Sequence, residues 1–130
     1  MNVRLLLRRP ALAGSGLTFG FIALASIVAP TTVAARYAFT VGSADAYSEF
    51  HAVFTGFWLG LFALMITAAR RPEDQRLGDL CGVAIGLQAT ARFFSMAAHG
   101  LPSMSFVSAA AGEAVTALVI LQYRPAAPRP

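Results

Sequence analysis

The chemistry-bearing residues of this chain stand out because so little around them is charged. The stretch from Ala91 to Gly100 reads ARFFSMAAHG, with Arg92 as its one permanent charge. At helical spacing Gln88, Arg92, Ser95 and His99 fall four, three and four residues apart, which places them on one stripe of a helix. Glu113 lies in a second apolar stretch and Glu49 at the start of a third. An arginine has five donors and can serve two carboxylates at once. Three kinds of chemistry suit such a set: a lock between helices, a site for an anionic ligand, or a proton relay through a carboxylate.

The elements that must position these residues are long and apolar. Hydrophobic residues make up 57% of the 130 and charged ones 12%, with mean hydropathy +0.64, against roughly 25% charged in a soluble domain. No charge falls between Arg9 and Arg36, none between Glu49 and Arg70, Arg92 alone between Asp79 and Glu113, and none from there to Arg124. Each gap holds a helix of about 20 residues, enough to cross a hydrocarbon core of roughly 30 Å. Spans are expected near 11–34, 48–69, 77–98 and 103–123.

The ten basic residues are all arginines, giving a net charge of +4. A basic chain can signal nucleic acid, but the positions here point to membrane topology. Arg4, Arg8 and Arg9, then Arg70, Arg71 and Arg76, then Arg124 and Arg129 lie on one side of the expected spans, with Arg36 alone on the other. The side rich in arginine is the cytoplasmic one, so both termini are expected there, in a bacterial plasma membrane. The basic start, apolar stretch and "VAA" of the amino end also suit a secretory signal; the apolar run from Ala11 to Ala29 exceeds the usual signal core of about 7–15 residues and favours a retained span. Cys81 is read as a small packing residue.

Local signals fit these spans. Pro10 can open the first helix, and Pro30 bends or ends it. Asp45 is a candidate cap, and Glu49 a first-turn acid, for the second. Pro72, Glu73 and Asp74 can begin the third, Gly100 can end it, and Pro102 with Ser103 can start the fourth. Small residues recur four apart at Gly16 and Gly20, Gly56 and Gly60, Gly78, Gly82 and Gly86, and Ser108 and Gly112. In lipid such pairs let backbones approach and gain dispersion contacts, within one chain or between two copies.

The expected fold is therefore all-α: a four-helix membrane bundle, antiparallel up-down-up-down, as one domain over 1–124 with a disordered proline-rich tail at 125–130. At a uniform 100° per residue Glu49 aligns with Val53, Gly56 and Gly60 on the packing face, and His51 with Thr55 and Trp58 opposite. Arg92 lies about 10 Å, and Glu113 about 15 Å, from the outer side at 1.5 Å per residue. A lone arginine at such depth costs on the order of 2.5–3.5 kcal/mol. Pairing with Glu113 below and Glu49 above is the economical arrangement, with His99 and His51 at the membrane border.

Histidines near the ends of two spans raise a haem between helices, which the opposed faces of His51 and Glu49 disfavour. No zinc spacing, phosphate-binding glycine loop or nucleophile motif occurs, so no cofactor or metal is expected. The leading reading is a non-enzymatic accessory or structural membrane protein locked by Glu49, Arg92 and Glu113. The alternative is a small binding or transport protein with an outward-facing polar cavity for an anionic or amphipathic ligand. A lipid-acting enzyme using Glu113 or His99 as acid or base is weaker. The expected partners are the bilayer, a second copy or another membrane protein, not nucleic acid.

The order of these features resembles a bacterial family of small four-span membrane proteins, the domain of unknown function family 4345. That family has a proline closing span one, a glutamate opening span two in a motif like E-x-R-A-x-Y-G-G, a G-R-x-x-S-x-x-x-D-G pattern in span three and a glutamate in span four. The chain shows Pro30, EFHAVFTG from Glu49, ARFFSMAAHG from Ala91, and Glu113. It departs at His51, Phe54, Thr55, Ala91 and His99, where the family tends to have arginine, tyrosine, glycine, glycine and an acid. The resemblance implies the topology and the Glu49, Arg92, Glu113 set, and no reaction.

Overall fold

The computed structural model describes residues 3–123, with side chains from Leu5 on. The expected tail at 125–130 lies outside the described residues. Five helices follow in order: α1 Val3–Val28, α2 Pro30–Arg36, α3 Ala44–Arg70, α4 Gln75–His99 and α5 Met104–Gln122. Four of them, Leu5–Val28 of α1 and the whole of α3, α4 and α5, are long and apolar enough to cross a membrane. The chain is a multi-pass helical membrane protein.

The first helix runs earlier than 11–34, because Pro10 is accommodated inside α1 rather than opening it. Pro30 ends it: Ala29 takes the non-helical φ of −140° that a following proline favours, and Pro30 starts α2. Ser43, not Asp45, caps α3, its hydroxyl accepting from the Ala46 amide at 3.2 Å. Asp74 caps α4 in the same way through Leu77 N–H at 3.0 Å. Gly100 closes α4 at φ 91°, a left-handed backbone suited to glycine. Within the spans, hydroxyls satisfy themselves on the preceding turn: Thr18 bonds the Gly14 carbonyl, Ser26 that of Ile22 and Thr90 that of Gly86.

The bundle is two helix pairs, α1 packed along α3 and α4 along α5, with thinner contact between the pairs. Small residues set both seams. A Cβ on Gly20 would lie 2.8 Å from the Phe62 ring, and one on Gly82 2.9 Å from Leu121. Gly56 and Gly60 do not behave so; both are exposed, and nothing lies within 4 Å of a Cβ built at Gly60.

The inward face of α3 is instead Phe50, Phe54, Trp58, Leu61 and Met65. Residues His51–Phe57 wind as a π-helix, and the five inward residues still fall within about 80° of one another at 100° per residue. The rings form one cluster: Phe50–Phe54 centroids are 4.8 Å apart, Phe54–Trp58 4.9 Å, Tyr37–Phe54 4.9 Å and Phe19–Trp58 5.8 Å. Such stacked, tilted and edge-on contacts add to simple burial and hold Tyr37 against Phe54.

Candidate functional site

The polar site is built on α4 and α5. Gln88 and Arg92 are one turn apart on α4, and both reach Glu113 on α5. Arg92 Nε donates to Glu113 Oε2 at 2.8 Å, and Gln88 Nε2 donates to Oε1 at 3.0 Å. Each carboxylate oxygen thus has a donor, and the pair is electrically neutral, which makes it tolerable within an apolar bundle. The Arg92 side chain is 24% exposed and that of Glu113 17%. Among the described residues the terminal Nη groups of Arg92 have no hydrogen-bond partner; its guanidinium carbon stands 5.9 Å from the Phe106 ring centre.

The residues flank a half-open chamber of about 540 Å³ between the two helix pairs, within the range of about 300–1,000 Å³ typical of small-ligand sites. Its wall is largely apolar, with Phe19, Trp58 and Ile85, and carries hydroxyls from Ser15, Thr18 and Thr116. Among the described residues three charged side chains border it: Arg36, Arg92 and Glu113. Two cations against one anion leave one positive charge in excess. A second cavity of about 560 Å³ lies beside it, bordered by Ser95, His99 and the 100–102 turn. Tyr37, Arg92 and Phe106 border both. Burial pushes the Tyr37 phenol above its ordinary value near 10, with Arg92 partly opposing, so the hydroxyl is neutral at physiological pH.

Glu49 corrects the expected three-residue cluster. It is exposed, and it makes no hydrogen bond or ion pair among the described residues. Its neighbour Phe50 takes the inward position, because in lipid a large ring gains dispersion contacts on a packed face while a first-turn carboxylate gains most from water and the helix dipole. Ser95 and His99 are exposed and border the second cavity, not the Glu113 carboxylate. His51 is half-buried, with Nδ1 3.0 Å from Thr55 Oγ1. No group of three His, Cys, Asp or Glu among the described residues could hold a metal ion.

A second ion pair carried no sequence signal beyond charge. Arg8, counted among the cytoplasmic arginines, has a fully buried side chain; its Nη2 lies 2.9 Å from Asp79 Oδ1 and 3.1 Å from the Gln75 carbonyl. It occupies the space left by Gly78, where a Cβ would lie 2.7 Å from Arg8 Cζ. Among the described residues the Nε and Nη1 of Arg8 have no hydrogen-bond partner. Arg36, Tyr37 and Phe106 were likewise missed: their contribution comes from chain segments brought together across the bundle, which helical periodicity within one span cannot show.

No curated protein and no solved structure matches the chain. One family model does, over residues 7–123, from the turn carrying Arg8 to the end of α5. The match takes in every residue of both ion pairs and both cavities, and the chain belongs to the family described as Domain of unknown function (DUF4345).

Proposed function

We propose that this protein is a non-enzymatic binding protein of the bacterial plasma membrane whose chamber receives a monoanionic, amphipathic small molecule. The observation that carries this reading is the charge balance at the chamber wall: two arginines against one glutamate, with both terminal nitrogens of Arg92 unpartnered among the described residues. An anionic head group of one charge neutralises the excess and accepts from the free guanidinium edge, and the apolar wall receives the chain behind it. The bundle runs up-down-up-down with both termini cytoplasmic, a reading supported by the arginine bias.

Trp58, the one tryptophan of the chain, borders the chamber and serves as the reporter. In lipid nanodiscs, ω-bromoundecanoate quenches Trp58 fluorescence saturably, whereas ω-bromoundecyltrimethylammonium at the same membrane concentration does not. Equal quenching by the two overturns the reading, since it reports partition into lipid without a charge-selective site.

The Arg92–Glu113 contact at 2.8 Å supports a companion role as a lock between α4 and α5. Glu113→Gln with unchanged stability removes that role.

A further inference from the structure

Two cavities share one wall. Tyr37, Arg92 and Phe106 border both the chamber and the outer cavity. The three form a continuous layer: the Tyr37 and Phe106 ring centres are 5.6 Å apart, and the guanidinium carbon of Arg92 stands 5.9 Å from the Phe106 centre. Beyond that layer the outer cavity is bordered by Ser95, His99 and the turn through Gly100, Leu101 and Pro102. The layer is held unequally. Tyr37 is fastened by Phe54 and Trp58, whereas Phe106 lies on the first turn of α5, where the cap residue Ser103 takes no backbone amide on its side chain and its hydroxyl pairs only with that of Ser105 at 2.9 Å. The turn before it pivots on Gly100, at φ 91° with nothing within 4 Å of a built Cβ.

We infer that the outer cavity is a loading site for the anion and that Phe106 is the movable part of a gate between it and the chamber. This rests on the binding reading above and assigns its route. Arg92 faces both sides of the layer, so an anion can meet a free Nη group in the outer cavity and keep contact with the same guanidinium as it passes inward. The charge is then never left without a partner in a low-dielectric region, where that loss is most costly. The Phe106 ring stands between the two cavities and has the weaker attachment, so its displacement joins them.

Thiol accessibility tests the gate without needing the natural ligand. In nanodiscs, with Cys81→Ala to remove the native thiol, single cysteines are introduced by Ser95→Cys in the outer cavity and by Thr116→Cys in the chamber. The anionic reagent sulfonatoethyl methanethiosulfonate modifies the first quickly and the second at least about tenfold more slowly, a barrier difference of about 1.4 kcal/mol. Phe106→Ala raises the chamber rate to near that of the outer cavity and leaves the latter unchanged; Phe106→Trp, which keeps the ring contact if alanine disturbs folding, slows the chamber further. Equal rates at the two positions in the parent chain, or a chamber rate indifferent to both substitutions, overturn the gate. Charge-selective quenching of Trp58 by ω-bromoundecanoate is scored separately. Quenching with a chamber rate indifferent to Phe106 defeats the route alone, and a responsive rate without quenching defeats the ligand class while keeping the gate.

Discussion

Arg8 on α1 and Asp79 on α4 form an ion pair at 2.9 Å with the guanidinium wholly buried, and it fastens the two helix pairs together at the end opposite the Arg92 chamber. The bundle is therefore tied by charge at one end and hollow toward the other. The tie holds the pairs in register while the other end keeps its cavity.

Asp79→Asn leaves the buried Arg8 cation without its counter-charge. Stranding one partner of a buried pair costs about 3–5 kcal/mol, while replacing both is nearly neutral. Asp79→Asn is thus expected to destabilise the bundle strongly, and the double change Arg8→Met with Asp79→Asn to recover much of the loss. Unfolding in mixed micelles on titration with dodecyl sulfate checks both; a double variant no more stable than Asp79→Asn contradicts the pairing.

Gly78→Ala and Gly60→Ala make the same chemical change on two spans. The first drives a methyl group into the Arg8 guanidinium and is expected to cost about 1–3 kcal/mol as overpacking. The second meets open space and replaces a poor helix former by the best one, so it is neutral or gains up to about 1 kcal/mol. The same dodecyl sulfate titration ranks them.

Glu113→Gln separates lock from site. It weakens the hold on Arg92 Nε and raises the excess positive charge at the chamber, so stability falls by about 1–3 kcal/mol while ω-bromoundecanoate binds more tightly. Arg92→Gln acts oppositely on binding, which weakens about 10-fold or more through loss of a charge-assisted contact. Trp58 quenching gives both affinities, and a shared direction for the two variants contradicts the charge argument.

Tyr37 makes the fold sensitive to alkali. Its folded value is raised above 10 by burial, so the neutral phenol is favoured in the bundle. The stability from this group is complete below the unfolded value near 10 and is lost as pH rises through the higher folded one. Tyr37→Phe is expected to flatten the decline above about pH 10, read by unfolding at stepped pH.

Glu49→Gln is expected to change stability by less than about 0.5 kcal/mol, as for other exposed positions, and to leave quenching of Trp58 unaltered. A marked loss in either measurement returns Glu49 to the site.

Legibility divided along a physical line. That Arg92 and Glu113 lie at similar depth on successive spans is a matter of counting residues from a shared turn, and the structure has them 2.8 Å apart. Counting faces on α3 offers two candidates and no choice between them: at 100° per residue Phe50, Phe54, Trp58, Leu61 and Met65 fall on one side just as Glu49, Gly56 and Gly60 do on another, and in lipid apolarity does not say which side packs. The glycine spacing favours the side of Glu49, Gly56 and Gly60, and the ring cluster of Phe50, Phe54 and Trp58 occupies the inward face instead. Arg8 shows a different limit. Its charge reads as topology, and nothing in its neighbours marks it for burial; the space it fills is made by Gly78, seventy residues away.

The sequence by itself determined that this chain belongs in a membrane and carries four segments long and apolar enough to cross it, because the cost of placing charge in hydrocarbon is a property of contiguous residues and needs no partner. The tertiary structure decided which faces meet, which arginine is buried and where space is left. In lipid both sides of an apolar helix are equally content, so those choices rest on shape and on charge pairing between segments distant along the chain.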